Sequence, residues 1–397
     1  MATVRTQVGI VGAGPAGLLL AHLLGKAGIE CVVLENRTRE QVESTIRAGI
    51  LEQGTVELLS ESGASDRVLT VGSRHEGIEL RFDGAGHRID FTELVGRAVW
   101  LYPQHEVLID LIARLLDDGA TVLFDHEVDE VADAESEAPR ILARDATGEP
   151  VEIVADFVIG ADGSRSVART TVTGSPTGGY FREYPFAWFG ILCEAPPSAH
   201  ELIYSSSPEG FALISQRTPQ IQRMYLQCDP DLDPESMSEE QIWDSLQRRV
   251  EGTELQRGHI FQRDVLRFRS FVAHALRRGR VFLAGDAAHT VPPTGAKGMN
   301  LAVADVRLLE EGIIAHYAGD PTLLDHYEAV ALQRIRKAQH YSWWMTSMLH
   351  STPDATDFDR LRQLGELESL VESRAGRTWL AEGYTGWEHR SLADAAR

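Results

Sequence analysis

Apolar residues in the first 35 positions fall into short blocks separated by small and turn-forming residues. Residues 8–11 are a continuous apolar run, then comes Gly12-Ala13-Gly14-Pro15-Ala16-Gly17, then Leu18, Leu19, Leu20, His22, Leu23 and Leu24. A four-residue apolar block bounded by glycine reads as a buried strand, and the leucine-rich stretch opened by proline reads as a helix. A second block, Cys31–Leu34, ends at Glu35, which completes a βαβ unit. Two further blocks follow the same pattern. Residues 157–159 precede Gly160-Ala161-Asp162-Gly163, and residues 281–284 precede Gly285-Asp286. Beyond them Met299, Val303, Val306 and residues 309–313 give one apolar face to a helix that should begin near Ala296. Residues 211–228 are two alternating runs around Thr-Pro-Gln, the pattern of a hairpin in an antiparallel sheet. From HYSWWMTSMLH onward the chain reads as helical, with Trp343 and Trp344 expected in core or subunit packing.

Each glycine of the first unit has a mechanical reason. Gly12 permits the tight turn, Gly14 lets backbone N–H groups approach a pyrophosphate, and Gly17 lets helix and strand pack closely. Glu35, about 20 residues on, is placed to accept hydrogen bonds from an adenosine ribose. The unit therefore implies a dinucleotide containing ADP, without choosing between NAD and FAD. Asp286, at the end of its strand, can accept a hydrogen bond from a ribityl hydroxyl. The helix start at Gly295–Asn300 offers unpaired N–H groups and should face an anion.

Composition narrows the class. The 397 residues are 43% hydrophobic and 24% charged, as in an ordinary globular protein, and allow two or three domains. Lys and Arg number 38 against 59 Asp and Glu, and 38 − 59 = −21 argues against nucleic acid and anionic membranes. An anionic substrate would need cations concentrated at its site. On residues 211–217 alternation puts Ser215 and Arg217 on one face, where a hydroxyl beside a forked guanidinium suits a carboxylate, with Tyr225 on the returning strand as a third donor. Taken alone, Ser-x-Arg on a strand is usually a solvated face. Cys31, Cys193 and Cys228 are far apart and form no CxxC pair, so neither zinc nor a disulfide framework is expected, and a reducing cytoplasm is the simplest home. The opening apolar stretch is interrupted by Gly-Pro and His22, so it reads as neither a signal peptide nor a membrane span.

GAGPAG with Glu35, the Asp162-Gly163 turn and GDAAH, in that order, resemble the class A FAD-dependent aromatic hydroxylases. The likeness extends to their p-hydroxybenzoate 3-hydroxylase branch through IRAGILEQG (46–54), HEG (75–77), YPFAWFG (184–190), HELIYSSSPEGFALISQR (200–217), VPPTGAKGMNLA (291–302) and SWWMTS (342–347). The resemblance implies an α/β fold: a Rossmann-like FAD-binding domain with a mixed sheet, over 1–74, 97–180 and 270–345. It also implies an inserted antiparallel substrate domain over 75–96 and 181–269, and a helical segment over 346–397.

By the same resemblance the dinucleotide is FAD, with NADH or NADPH and O2 as co-substrates. FAD would be held by Gly12, Gly14, Ala16, Gly17, Glu35, Arg47, Ala48, Gly49, Gln104, Asp162, Gly163, Asp286, Gly295, Gly298, Met299 and Asn300. The substrate carboxylate would meet Ser215, Gln216, Arg217 and Tyr225. The substrate phenol would meet Tyr204 and the Pro293 carbonyl, and a relay through Tyr384 to His75 would remove its proton. The implied reaction converts 4-hydroxybenzoate to 3,4-dihydroxybenzoate by way of a flavin C4a-hydroperoxide. The alternatives are a hydroxylase for a related 4-substituted aromatic acid, or a flavin reductase or carrier that hydroxylates nothing. Arg37, Arg47, Arg165 and Arg269 fit the nicotinamide nucleotide. Asn36-Arg37, Gln41 and Arg165 depart from the NADPH-preferring members, and Glu40 and Glu43 are interspersed with Arg37 and Arg39, so NADH is expected to serve at least as well as NADPH. A homodimer is the implied assembly.

Overall fold

The computed structural model describes residues 2–45 and 49–397. Parallel strands need apolar side chains on both faces, and that is why the apolar blocks of the chain are unbroken rather than alternating. Ala2–Val11 lies between Pro150–Gly160 and Cys31–Leu34, parallel to both. Val281–Leu283 extends this sheet on the Pro150–Gly160 side and Thr121–Leu123 on the Cys31–Leu34 side, again in parallel. Glu127–Ala132 and Arg140–Arg144 add antiparallel strands, so the sheet is mixed. Val8, Ile10, Val158 and Ile159 are fully excluded from solvent between helices such as Pro15–Lys26, Gln104–Asp117 and Gly298–Tyr317.

A second sheet runs in the order His289–Thr290, His259–Ala273, Gly179–Glu194, Ile221–Cys228, Gly210–Thr218, Leu202–Ser207, Gly77–Phe82, Ala85–Asp90. It is antiparallel except where Leu202–Ser207 meets Gly77–Phe82. The hairpin expected over 211–228 is present, as Gly210–Thr218 paired with Ile221–Cys228. One face, with Phe211, Leu213, Tyr225 and Tyr204, packs against the helices Tyr327–Leu349, Asp357–Glu372 and Arg374–Thr385. The other face, with Ala212, Ile214, Met224 and Leu226, packs against the helix Glu239–Arg249. A short sheet of Ile50–Glu52, Val99–Leu101 and Ser73–His75 closes the space between the first two.

The elements do not stop where the sequence boundaries were drawn. Gly179–Glu194 and His259–Ala273 run through positions 181 and 270, and the helix Tyr327–Leu349 runs through 346. Continuous strands, rather than flexible linkers, therefore join the two sheets. The helix expected near Ala296 begins two residues later, at Gly298. Pro293–Gly295 forms a short 3-10 turn, and Ala296 takes a left-handed conformation, φ 53°, that redirects the chain before the helix opens. Trp344 packs inside the chain, its ring centroid 4.5 Å from that of Trp379 and its Nε1 donating to Glu366 at 2.7 Å, whereas Trp343 is partly exposed.

Candidate active site

Ser and Thr residues cap many of the helices, among them Arg39–Ser44, Glu239–Arg249 and Asp357–Glu372. Pro15–Lys26, Gln104–Asp117 and Gly298–Tyr317 have no side-chain cap. Uncapped helix starts leave N–H groups for a ligand, and these three carry Gly14, Gln104, Met299 and Asn300. The glycines show where space is tight and where it is open. A Cβ on Gly12 would sit 2.4 Å from the Ala161 carbonyl oxygen, on Gly17 2.0 Å from that of Gly12, and on Gly49 1.9 Å from that of Tyr102. On Gly14 the nearest atom would be 3.9 Å away, and on Gly163 and Gly298 nothing lies within 4 Å. Ala16 is buried in the first turn of its helix, and a Cβ on Gly295 would meet the Ser342 hydroxyl at 2.8 Å.

The acids divide. Asp286 is exposed at its strand end, and its carboxylate accepts from no side chain or backbone N–H among the described residues. Glu35 accepts from the Ala13 N–H at 2.8 Å and from Arg37 Nε at 2.7 Å, so part of its capacity is already used. Asp162 behaves differently from a free ligand: Ser166 Oγ at 2.5 Å and the Val167 N–H at 2.7 Å bind it as the anchor of the next helix. Arg47 and Ala48 lie outside the described residues.

On the substrate sheet, register puts Tyr225 opposite Leu213 and Leu213 opposite Tyr204, in one row across three strands. Tyr204 and Tyr384 are both buried, with their hydroxyl oxygens 2.7 Å apart. Burial pushes both phenols above the ordinary tyrosine range, so each keeps its proton at neutral pH. Arg217 lies beside Tyr225 and Arg223 in the interior, where burial lowers its pKa, and its Nε has no partner. Its alternation with Ser215 is broken by a register shift between Gln216 and Thr218, because the strand bulges before its turn. Ser215 Oγ donates to the Arg223 carbonyl at 2.6 Å. Gln216 turns to Ser73 and His75, at 3.2 and 3.3 Å. His75 hydrogen-bonds neither tyrosine; its Nδ1 is buried without a partner, and burial holds its pKa down to about 4. The Pro293 carbonyl accepts from the Ala296 N–H at 2.9 Å and retains a second lone pair. Arg269 donates to Ser164 at 2.8 Å on the same exposed turn as Arg165.

Several residues here escaped sequence reading. Lys297 is buried, donating to Glu52 at 2.7 Å and to the Tyr384 carbonyl at 2.9 Å, while Arg334 holds the other Glu52 oxygen at 2.9 Å. Asn300, named from the sequence for its place at the helix start, also works through its side chain, which accepts from the Glu52 N–H and donates to the Ile50 carbonyl. The Arg223 guanidinium pairs with Asp264 at 2.6 Å. Trp188 Nε1 donates to His350 at 2.7 Å behind Tyr225. Lys297 and Glu52 lie within segments quoted for their resemblance, but periodicity gives no sign that a lysine is buried.

Residues 5–342 match the family model described as an FAD binding domain. Over 99% of this chain and 98% of its own length, the p-hydroxybenzoate hydroxylase of Acinetobacter baylyi is 40% identical to it. The chain belongs to the class A FAD-dependent aromatic hydroxylases. A probable NADH-specific resorcinol 4-hydroxylase of Rhodococcus jostii is 26% identical, covering 83% of this hydroxylase and 63% of its own length. Among solved structures, p-nitrophenol 4-monooxygenase from Pseudomonas putida superposes with a TM-score of 0.82 at 21% identity, over 98% of this chain and all of that one (100%). The hydroxylase uses FAD, with NAD(P)H and O2 as co-substrates, and the open glycine faces, uncapped helix starts and free Asp286 carboxylate fit that cofactor.

Burial holds the imidazole pKa values of His75, His350 and His389 down, to about 4, 3 and 4. Each folded value is below the unfolded one, so the unfolded chain binds protons first on acidification. The stability from burying neutral rings is complete above about pH 6.5 and is lost as pH falls towards 4, by up to about 1.4 kcal/mol per unit per histidine. His350→Phe should remove about one proton from the uptake on unfolding between pH 4 and 6, measured from urea midpoints across that range. An unchanged slope would contradict a buried neutral His350.

Proposed function

We propose that this hydroxylase converts 4-hydroxybenzoate, O2, NAD(P)H and a proton to 3,4-dihydroxybenzoate, NAD(P)+ and water. The observation that carries the reading is the buried Tyr204–Tyr384 hydroxyl pair on the same sheet face as Tyr225, with Arg217, whose Nε has no partner, beside it. Two strand spacings, about 10 Å between backbones, separate the Tyr225 and Tyr204 strands. A flat ring with a carboxylate at one para end and a hydroxyl at the other suits that gap. The name of the Acinetobacter baylyi relative points to the same substrate.

Arg217 and Tyr225 bind the carboxylate, and the apolar walls around Leu213 and Phe211 exclude water from the ring. Tyr204 accepts the phenol proton as it passes its own to Tyr384, so the ring approaches phenolate and its ortho carbon becomes nucleophilic. His75, neutral and with an open Nδ1, is the next acceptor, reached once ligand or water bridges the gap to Tyr384. The bound flavin supplies the activated oxygen. Lys297 and Arg334 against Glu52 leave one net positive charge behind Tyr384, which favours the phenolate left at the Tyr204 end of the relay once the proton has gone.

The nicotinamide nucleotide docks at Arg165 and Arg269, with Arg37 nearer the adenosine end. Arg37 is bound to Glu35 and Arg39 to Glu43, at 2.7 and 2.6 Å, so cations suited to a 2′-phosphate are already partnered. A second copy of the chain covers the helix bearing exposed Phe358 and Leu361, giving a homodimer. Three unpaired cysteines suit a cytoplasmic setting, and among the described residues no helix is long and apolar enough to cross a membrane.

Arg217→Lys should weaken 4-hydroxybenzoate binding by about tenfold or more, because a point charge replaces a fork; titration by flavin absorbance reads it, and unchanged affinity removes Arg217 from the site. Tyr204→Phe should leave flavin reduction intact and cut hydroxylated product by about 100-fold or more, with hydrogen peroxide in its place. Full product yield would exclude Tyr204 from the relay. Steady-state oxidation should proceed at least as well with NADH as with NADPH, and a strong NADPH preference would overturn the nucleotide assignment.

A further inference from the structure

Behind Tyr384, on the side of the Gly298–Tyr317 helix that carries Asn300, Val303, Ala304 and Arg307, lies a half-enclosed cavity of about 270 Å3. Three guanidiniums, from Arg97, Arg307 and Arg334, line it together with His389 and Trp387. Three glutamates, Glu52, Glu57 and Glu388, line it too, so the formal charges balance in number, but the acids do not pair one to one with the guanidiniums. Glu52 is held by Lys297 and Arg334 at 2.7 and 2.9 Å. Glu57 accepts from the Gln53 amide at 2.9 Å, and Glu388 is 91% exposed and 3.8 Å from Arg97. Arg97 gives another N–H to the Gly386 carbonyl. Arg307 forms no ion pair and donates no hydrogen bond among the described residues, although its guanidinium stands near Gly54 at the wall of the cavity. Burial, together with Arg307 and Arg334, holds His389 down to about 4, so at neutral pH it is a neutral donor or acceptor rather than a fourth cation.

An unpaired guanidinium at a partly enclosed wall is a donor fork without its acceptor, and its natural complement is a planar or tetrahedral oxyanion. The volume falls just under the ~300 to 1,000 Å3 of typical small-molecule pockets, which suits a small anion and not a nucleotide. None of the residues assigned to the aromatic substrate lines this space. We propose that the cavity is a second, oxyanion-binding site, taking a small carboxylate- or phosphate-bearing molecule on Arg307, with Arg97 as the supporting donor. Through Arg334, Glu52 and Lys297 an occupant would be electrostatically coupled to the backbone of Tyr384.

The test is calorimetric titration of the FAD-loaded protein with inorganic phosphate and, separately, with malonate, in low-chloride buffer. Saturable binding of either probe is expected, weakened at least tenfold in Arg307→Ala and in Arg307→Gln and retained in Arg269→Ala, a cation of the strand His259–Ala273 that does not line the cavity. The probe that binds more tightly identifies the anion as carboxylate or phosphate. Without added anion, hydroxylation by Arg307→Ala should stay within about twofold of the parent, since Arg307 touches none of the proposed reacting groups. Absence of saturable binding by both probes, equal binding by the Arg307 variants, or loss of binding in Arg269→Ala would each overturn the site. Because the readout is heat of binding, that failure would leave the reading of the aromatic chamber standing.

Discussion

A buried ammonium ion is the constraint on which the chamber depends. Lys297 is only 2% exposed, and removing such a charge from water costs several kcal/mol unless it is partnered. Its partners come from three remote stretches: the Glu52 carboxylate, the Tyr384 carbonyl, and the faces of Tyr341 and Trp387 at 5.3 and 5.6 Å. Separating any of these stretches would strand the charge, so they must dock together. The result fixes Tyr384 by polar geometry as well as by packing, with Phe91 stacked on its ring at 5.2 Å. It also joins the start of the Gly298–Tyr317 helix to the buried Tyr204–Tyr384 hydroxyl pair.

Sequence reading succeeded where the physics is local. The first βαβ unit is encoded in 30 consecutive residues, and Gly12 and Gly17 are required by close backbone contacts, with Ala161 and with Gly12 itself. The hairpin likewise follows from alternation around a short turn. Failures occurred where a distant segment or a backbone irregularity decided the outcome. Ser215 and Arg217 alternate on paper, but the bulge after Gln216 changes the register, and Ser215 turns its hydroxyl to the neighbouring strand. The Asp-Gly spacing does not show that Ser166, Val167 and Ala168 of the following turn and helix donate to the Asp162 carboxylate. Glu52 and Lys297 are 245 positions apart, beyond any periodicity. Alternation singles out one cation, Arg217, whereas the fold also buries Lys297, Arg169 and Arg223, which no local pattern marks.

Cofactor loop and substrate sheet also share backbone hydrogen bonds. His289–Thr290 pairs with Val272 and Phe271 at the edge of the substrate sheet. The same segment is pinned from behind by Asp305, which accepts from His289 at 2.6 Å and from the Gly285 N–H at 2.9 Å. The loop that carries Asp286, Pro293 and the helix start is thus the last strand of the sheet that carries Tyr204 and Tyr225. Ladder registers are discrete, because a one-residue slip would invert every side chain. The spacing between this loop and the strands that carry Tyr204 and Tyr225 is therefore set by strand pairing. That rigidity leaves the side chains, rather than the register of the two segments, as the parts free to adjust.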